Sequence, residues 1–474
     1  MNASPPARDL IQALKDAVGP RGFLEEPGET ARYLRDERDL FHGASPIVLR
    51  PDSTEAVARI VRLCAGAGVG IVPQGGNTGY VGGATPSADG SQILVSLERM
   101  NRVRAVDPLD NTIVVEAGCV LAAVQAAAAE VDRLFPLSLG AEGSCQIGGN
   151  LSTNAGGTQV LRYGNMRDLV LGLEVVLPDG RVWNGLNRLR KNNTGYDLKQ
   201  LFIGAEGTLG IITAAVLKLF PAPKDRCVCW LAVASPEAAL ALLARMRATS
   251  GECVTSFEYV DRGCLDMVLA HVDGTADPLA DRYDHYVLCE LTSARADAGL
   301  QGLAEAALEA AIEAGEVLDG TIAASDTQAE ALWRLRETIP EATKKAGATI
   351  KHDVSVPVST VPRFLAEARP LVEAAIPGVR VTPFGHLGDG NIHYNLSQPE
   401  GGDRDAFLAE TKRVNRLVHD LVHTLGGSFS AEHGIGALKK AELQTYHAPE
   451  TLDLMRAVKA ALDPTGLMNP GKML

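Results

Sequence analysis

The chain has 474 residues, 46% of them apolar and 22% charged, with 48 glycines and 25 prolines. That length covers two or three domains of ordinary size, and the composition is that of a folded protein with a sizeable core, which excludes a single small module, a disordered chain and a collagen-like one. Lys and Arg number 45 against 58 Asp and Glu, a formal charge of −13; the basic residues are scattered, which argues against nonspecific binding to nucleic acid or to an anionic membrane surface. No apolar run approaches the roughly 18 residues of a membrane span. The first residues, MNASPPARDL, have neither the basic nor the apolar region of a leader. Eight cysteines without a CxxC pair read as reduced core thiols of a cytoplasmic protein.

In chain order, an amphipathic helix stopped by Gly19-Pro20 is followed by the strand IVLR (47–50), the capped helix DSTEAVARIVRLCAGAG and the strand VGIVP (69–73), a βαβ unit. The last strand runs into PQGGNTGYVGG (73–83). Neither GxGxxG nor GxxxxGK[ST] occurs, which removes a nicotinamide Rossmann domain and a phosphate-loop NTPase. Strands ILVSL (93–97), VRAVD (103–107) and TIVVEAG (112–118) precede a Gly/Ser/Asn-rich stretch (140–165). The hairpin LVLGLEVVLPDGRV, with PDG at its turn, and GAEGTLGIITAAVLKLF (204–220) then lead to the linker PAPK (221–224). Residues 46–222 form one α+β domain after a helical segment, 1–45.

Beyond the linker, apolar strands alternate with Ala-rich helices. CVCWLAVA, a helix opened by Ser235-Pro236, SFEYV, YVLCELTS and a helix over 297–314 make one split βαβ unit. TIKHDVSVPV, a helix over 360–374, GVRVTPFGH, NIHYNL, a helix over 404–424 and SFS make a second. The expected fold class is α+β, with a second domain (223–430) of two ferredoxin-like halves in one antiparallel sheet. A helical C-terminal segment (431–474), ending in DPTGLMNPGKML, is expected to pack on the first domain.

The segment 73–83 holds five glycines in eleven residues. Its backbone can take positive φ and turn successive N–H groups toward one point, a nest that binds a diphosphate without a lysine; an ordinary tight turn needs only one or two glycines. Two further Gly-rich segments, 140–157 and 204–210, suit a ligand long enough to touch three loops. Asn77, Thr78, Ser144, Asn150, Thr153 and Asn154 offer neutral hydrogen-bond partners to a flat heteroaromatic ring.

In HLGDGNIHYN, His386 and His393 flank a GDG turn. The period of a strand puts Asn391, His393 and Asn395 on one face, and reversal at Gly388–Gly390 can bring His386 opposite His393. SAEHGIG adds Glu432 and His433 in a glycine-flanked loop. Two imidazoles and a carboxylate suit Zn²⁺ or Mn²⁺ with a position left for substrate oxygen, whereas lone histidines are as often plain core or surface residues. Adjacent side chains diverge, which leaves His433 available as a general base; the plain alternative is a helix-entry residue. In WRLRETIP, Arg334 and Arg336 stand two apart on a helix, so only one can face a cleft. Lys351 lies in TIKHD.

PQGGNTG, GSCQIGGNLSTNAGGT, GAEGTLGIIT, GHLGDGNIH, SAEHGIG and the terminal NPGK, in this order along nearly the whole chain, resemble the FAD-linked oxidases of the vanillyl-alcohol-oxidase fold. Among these the D-2-hydroxyglutarate and D-lactate dehydrogenases are most similar. The resemblance implies FAD in the first domain, its pyrophosphate on Gly75–Gly79 and its isoalloxazine facing the second domain. Cofactor contacts are implied for Pro73, Gly75, Gly76, Asn77, Thr78 and Gly79 in the first loop, and for Ser144, Gly148, Asn150, Thr153, Gly156 and Gly157 in the second. Glu206, Gly207 and Ile212 are implied in the third, and Asn469 at the end of the chain. Relatives that tether the flavin use a histidine in the first loop; Asn77 stands here, which implies noncovalent FAD.

The same resemblance implies a metal on His386, His393 and Glu432, His433 as base, Asn395 near the substrate hydroxyl, and Arg336 with Lys351 on a substrate carboxylate, where an Arg fork makes two parallel hydrogen bonds. The activity implied is oxidation of a small D-2-hydroxy acid, D-2-hydroxyglutarate first, with hydride passing to flavin N5 and electrons to a quinone, a c-type cytochrome or an electron-transferring flavoprotein. The large apolar helices are compatible with a homodimer. Within the same fold, a D-lactate dehydrogenase, a glycolate oxidase subunit and a metal-free variant remain open; from a different class, so does a catalytically silent flavin-binding or scaffold protein. One departure stands out: 2-hydroxyglutarate members carry a threonine one turn after the arginine, and this chain has Pro340.

Overall fold

The computed structural model describes residues 5–474. They form two units, each discontinuous in sequence: the first holds the chain up to Gly156, Gly164–Ala222 and Glu432–Leu474, the second Gly157–Tyr163 and Pro223–Ala431. No helix among the described residues is long and apolar enough to cross a membrane.

In the first unit, helix α1 (Arg8–Val18) ends as its sequence predicts, at Gly19 with φ +72°. Strands β1 (Phe23–Leu24), β2 (Val48–Leu49), β3 (Ile71–Gln74) and β4 (Ile93–Ser96) form a sheet in the order β1-β2-β4-β3. Helix α2 (Thr54–Ala67) links β2 to β3; the Ser53 hydroxyl accepts the Ala56 amide at its start, and Gly68 at φ +67° closes its end. Both strands run parallel to β4, so the βαβ unit is present but its strands are not neighbours. Parallel strands are covered on both faces, and Ile71, Val72, Ile93, Leu94 and Val95 are fully buried.

A second, antiparallel sheet follows the order β5-β6-β9-β7-β8, built from β5 (Val103–Asp107), β6 (Thr112–Glu116), β7 (Val170–Val176), β8 (Val182–Gly185) and β9 (Ile211–Lys218). β7 and β8 are the expected hairpin, with Gly180 at φ +78°. Helix α3 (Ile147–Thr153) rises from the second Gly-rich stretch and is capped by Asn154 at φ +51°. The end of the chain joins this unit: Leu467 and Met468 sit in the core formed by Ile71 and Ile93, and burial of such a side chain contributes about 1.5–3 kcal/mol.

The second unit is built on one antiparallel sheet of β10 (Asp225–Val233), β11 (Val254–Asp261), β12 (His285–Ser293), β13 (Val317–Ile322), β14 (Thr349–Ile350), β15 (Asp353–Ser355), β16 (Arg380–His386) and β17 (Asn391–Ser397). The order is β13-β10-β12-β11-β16-β17-β14, with β15 also on β17. Its main helices are α4 (Val160–Tyr163), α5 (Pro236–Ser250), α6 (Arg262–His271), α7 (Leu300–Glu313), α8 (Asp326–Glu337), α9 (Ile339–Lys345), α10 (Val361–Ala375) and α11 (Thr411–Thr424), the last preceded by a short helix, Arg404–Ala409, where one helix over 404–424 was expected. The two ferredoxin-like halves are both present. β10-α5-β11-β12-α7-β13 is the first; β15-α10-β16-β17-α11 is the second, and it closes through a single bridge, Ser428 to Ser355, where a strand was expected.

The halves meet where β11 pairs with β16, in the register Glu258↔His386, Tyr259↔Gly385, Val260↔Phe384. One face of the sheet, with Phe257, Tyr259, Ile392, Tyr394 and Leu396, packs on α5, α7, α10 and α11. The other, with Val260, Leu288 and Phe384, packs on α6, α8 and α9. Alternation places Glu258, His386, Asn391, His393 and Asn395 on this second face. The segment Gly157–Tyr163 is fastened to the unit by Arg162, which donates to the Thr292 carbonyl at 2.6 Å and to the hydroxyl of Thr292 at 2.7 Å.

Asp261 caps α6 by accepting the Gly263 amide at 2.8 Å and pairs with Arg369 at 3.1 Å. Burial pushes its carboxyl up, against Arg369 and that amide, to about 6. The folded value exceeds the ordinary 3.8, so the protonated form favours the fold, and the contribution is lost as pH rises through 6. Asp261→Asn keeps a capping oxygen. Thermal melts are expected to show it stabilising by about 1 kcal/mol at pH 8 and changing little at pH 4.

Candidate functional site

β3 delivers the first glycine loop, and the other two press against it. A Cβ on Gly76 would stand 2.2 Å from the Ser144 carbonyl oxygen, and one on Gly207, at φ +71°, would stand 2.5 Å from Pro73 Cγ. Gly148 packs closely on Ala117, its Cβ position 2.9 Å from that methyl. A cavity of about 580 Å³ is lined by Gly75, Gly76, Asn77, Ser144 and Gln146, by Arg32 and Arg35, which pair with Glu98 and Asp39, and by Asp36 and Glu37. The buried acceptors Gln146 Oε1, Asn150 Oδ1 and Asn469 Oδ1 have no hydrogen-bond partner among the described residues. Buried polar atoms are nearly always satisfied, so these three acceptors fit a large polar ligand that brings N–H or O–H donors of its own.

Other predicted contacts have structural tasks. Asn77, at φ +55°, donates to the carbonyls of Arg32 and Arg35 at 3.1 and 2.8 Å. Asn154 caps α3 and accepts the Arg167 amide at 2.8 Å, while the Thr153 hydroxyl donates to the Gly149 carbonyl at 3.0 Å. Thr78, Gly79 and Gly156 are at least partly exposed, Ile212 is buried in β9, and Gly157 falls in the second unit. Glu206, implied as a cofactor contact, accepts the amides of Ile435 and Gly436 with its two oxygens, each at 2.7 Å. Burial pushes its carboxyl up, and the two amides act against that. Asn469 donates to the Glu206 carbonyl at 2.7 Å and to that of Gly83 at 2.9 Å. The clamp fixes the loop that carries His433, whose ring meets Tyr80 edge-on at 4.9 Å.

In the second unit, His386 stands opposite Asn391 and His393 opposite Phe384. The two histidines are therefore diagonal rather than directly opposite as expected, because the turn between β16 and β17 closes on the His386–Asn391 pair; their rings are still only 5.5 Å apart, at 76°. Glu258, fully buried, accepts His386 Nδ1–H on Oε1 and Arg336 Nε–H on Oε2, both at 2.7 Å. Burial pushes the Glu258 carboxyl up, but His386 and Arg336 outweigh it and hold it at about 2. It therefore stays a carboxylate and keeps the proton of His386 on Nδ1.

Arg336, 6% exposed, lies over the Phe384 ring at 4.7 Å, and Phe384 touches the His393 ring at 5.0 Å. Its Nη groups meet no hydrogen-bond acceptor among the described residues. Arg334 is exposed and donates to the Asp273 carbonyl at 2.8 Å, so one arginine alone faces inward, as the helical spacing requires. His393 Nδ1 is 3.9 Å from buried Asp353, and Asn395 is buried two residues further along β17. Lys351 is exposed between β14 and β15; its neighbours Ile350 and Asp353 pair with Leu396 and His393, which sets it alongside Asn395. Pro340 is exposed in the first turn of α9, and the nearby Thr338 and Thr343 hydroxyls donate to the carbonyls of Arg334 and Pro340. Glu432 directly follows Ala431, whose amide donates to the Asp353 carbonyl at 3.2 Å. Glu258 escaped the sequence reading; its only signal is a lone charge inside the apolar strand SFEYV.

Two family descriptions match the chain: "FAD binding domain" over residues 45–185 and "FAD linked oxidases, C-terminal domain" over residues 222–473. The chain belongs to the FAD-linked oxidase family. Its cofactor is FAD. Among relatives of this family, the D-2-hydroxyglutarate dehydrogenase of Xanthomonas citri pv. viticola is 40% identical over 98% of this chain and 96% of its own. The mitochondrial enzyme of that name from Bos taurus is 40% identical over 99% and 84%, and that from Arabidopsis thaliana 38% over 98% and 81%. Solved structures share the vanillyl-alcohol-oxidase-type fold: an alkyldihydroxyacetonephosphate synthase at TM-score 0.75 and 18% identity, over 99% of this chain and 87% of that one, and p-cresol methylhydroxylase at 0.75 and 16%, over 98% and 96%.

The closeness of the loops makes Gly76 a sharp test of the FAD-linked oxidase site. In flavin-free protein, Gly76→Ala is expected to lower stability by about 1–3 kcal/mol through overpacking against Ser144, whereas Gly79→Ala, whose Cβ meets nothing within 4 Å, leaves the melting temperature unchanged. After reloading and gel filtration, the Gly76 variant should retain markedly less flavin per chain, read from absorbance.

Proposed function

We propose that the protein oxidises D-2-hydroxyglutarate to the 2-oxo acid. What carries this reading is the combination of relatives of that name, 37–42% identical along nearly the full chain, with a buried arginine whose Nη fork meets no acceptor among the described residues and which lies beside two neighbouring imidazoles. FAD, held noncovalently since Asn77 stands where tethering relatives have histidine, supplies the acceptor for the hydride that leaves C2. His386, His393 and Glu432 are the residues that would hold a divalent ion, Zn²⁺ or Mn²⁺, whose charge lowers the pKa of an adjacent hydroxyl; the donor set of two imidazoles and a carboxylate fits either.

The chain's own part is binding and proton transfer. Arg336 and Lys351 hold a substrate carboxylate; a bidentate guanidinium suits this in a protein whose overall field repels anions. Asn395 orients the C2 hydroxyl. His433 takes the hydroxyl proton, which a neutral imidazole with an ordinary pKa near 6.5 can do once the hydroxyl is acidified. Electrons pass on to a quinone, a c-type cytochrome or an electron-transferring flavoprotein. Eight free cysteines, seven of them buried, support a reducing compartment, the cytoplasm.

Pro340 favours a second reading, because the position one turn after Arg336 offers no hydroxyl to a distal carboxylate; D-lactate or glycolate would need none there. Anaerobic mixing of the yellow protein with each of the three acids is expected to bleach the flavin fastest with D-2-hydroxyglutarate; faster bleaching by D-lactate or glycolate selects the second reading, and no bleaching by any refutes both. His433→Ala should lower the rate of bleaching by about 10²- to 10⁴-fold at unchanged flavin content. Dialysis against EDTA should abolish turnover, and added Zn²⁺ or Mn²⁺ should restore it; undiminished turnover of metal-free protein would remove the ion from the proposal.

A further inference from the structure

Glu258 is part of no motif that pointed to the family, yet it joins two side chains to which the proposed chemistry gives different tasks. It lies on the edge strand of the first ferredoxin-like half, directly opposite His386 on the edge strand of the second. Its two oxygens are engaged separately, one by His386 Nδ1 and one by Arg336 Nε. The backbone ladder of the seam forms whatever side chains stand at these positions, so strand pairing does not require a buried charge there, and a buried charge is costly unless well paired.

Building on the metal and carboxylate sites proposed above, we propose that Glu258 is a positioning residue for both. It presents His386 to the ion through Nε2 and presents the Nη edge of Arg336 to the substrate carboxylate, so that metal affinity and substrate affinity depend on one buried carboxylate. The first half follows from the ring: with Nδ1 hydrogen-bonded to Glu258, a bond from His386 to an ion can form only at Nε2. A carboxylate behind an imidazole fixes its tautomer and makes it a more basic ligand. The second follows from the guanidinium. Nε is held by Glu258 and the plane by the Phe384 ring beneath it, which leaves the planar Nη pair as the recognition edge. Phe384 also touches His393, so that imidazole and the arginine share one packed support.

Glu290 provides a matched comparison. It is 6% exposed on the neighbouring strand β12, accepts Arg226 and Trp333 Nε1 at 2.6 Å each, and touches neither histidine. Full-length, FAD-loaded protein stripped of metal is titrated with Zn²⁺ and with Mn²⁺ in competition with a chromophoric chelator. Glu258→Gln, which offers one acceptor where two donors converge, is expected to bind either ion about 10- to 100-fold more weakly, while Glu290→Gln stays within about twofold of wild type. The KM for D-2-hydroxyglutarate should rise in the Glu258 variant alone. Equal losses in both variants, or none in Glu258→Gln while wild type binds the ion, overturn the inference and leave the metal site standing; a wild-type chain that binds neither ion overturns both. If Glu258→Gln does not fold, ¹⁵N-histidine spectra of the wild type decide. The His386 signal, assigned by its loss in His386→Gln, is expected to show a proton on Nδ1 and to move at Nε2 on addition of Zn²⁺; a proton on Nε2 before zinc is added refutes the inference.

Discussion

A carboxylate withdrawn from water costs several kcal/mol unless opposite charge and donors meet it, and in the second unit Glu258 is met at both oxygens. That requirement constrains the surrounding fold. The imidazole has to arrive on the strand paired with β11, which ties the seam between the two ferredoxin-like halves to a single register. A slip of one residue would turn one half's side chains to the opposite face and bring His386 among Phe257, Tyr259 and Tyr394 of the apolar core. The guanidinium has to arrive from the helix that covers the same face, and α8 brings it there with Trp333 and Leu332 buried beside it. The polar cluster is thus specified by the same alternation that builds the hydrophobic layers.

The first unit meets a different constraint. Its three glycine segments approach each other to distances that a side chain would forbid at Gly76 and Gly207, and they leave buried acceptors at Gln146, Asn150 and Asn469 without partners among the described residues. Close backbone and unsatisfied oxygen together describe a scaffold completed by its cofactor. Several polar residues that look in sequence like ligand contacts also hold the scaffold. Asn77 and Asn154 adopt left-handed backbone and secure neighbouring segments, and Glu206 uses both oxygens on the loop of His433.

Much of this was legible in the residues because it is local. The caps at Ser53 and Ser235, the stop at Gly19, the PDG hairpin and the period of two along NIHYNL all act within a few positions, and each stands where expected. The helical period requires that only one of Arg334 and Arg336 face inward, and the resemblance points to Arg336, which is the buried one. What was not legible depends on distant partners. Nothing in 47–73 announces that β4 inserts between β2 and β3, and the diagonal offset of His386 and His393 depends on which pair the GDG turn closes upon. Glu258 lies 128 positions from His386, a pairing that no window on the sequence contains. Glu206 grips amides 229 and 230 positions away, which is equally out of reach of any such window.

The interleaving of the two units has a consequence for biosynthesis. The backbone passes from one to the other at 156/157, 163/164, 222/223 and 431/432, so neither is encoded as an uninterrupted stretch. Leu467 and Met468, which fill the core around β3 and β4, are synthesised only after the whole of the second unit. The glycine-rich unit therefore cannot complete its interior until the second unit has been made. Its first 156 residues must wait, part-assembled, while the antiparallel sheet, whose strands lie within 225–397, is synthesised and able to close ahead of it, which reverses the usual order in which domains mature from the N-terminus.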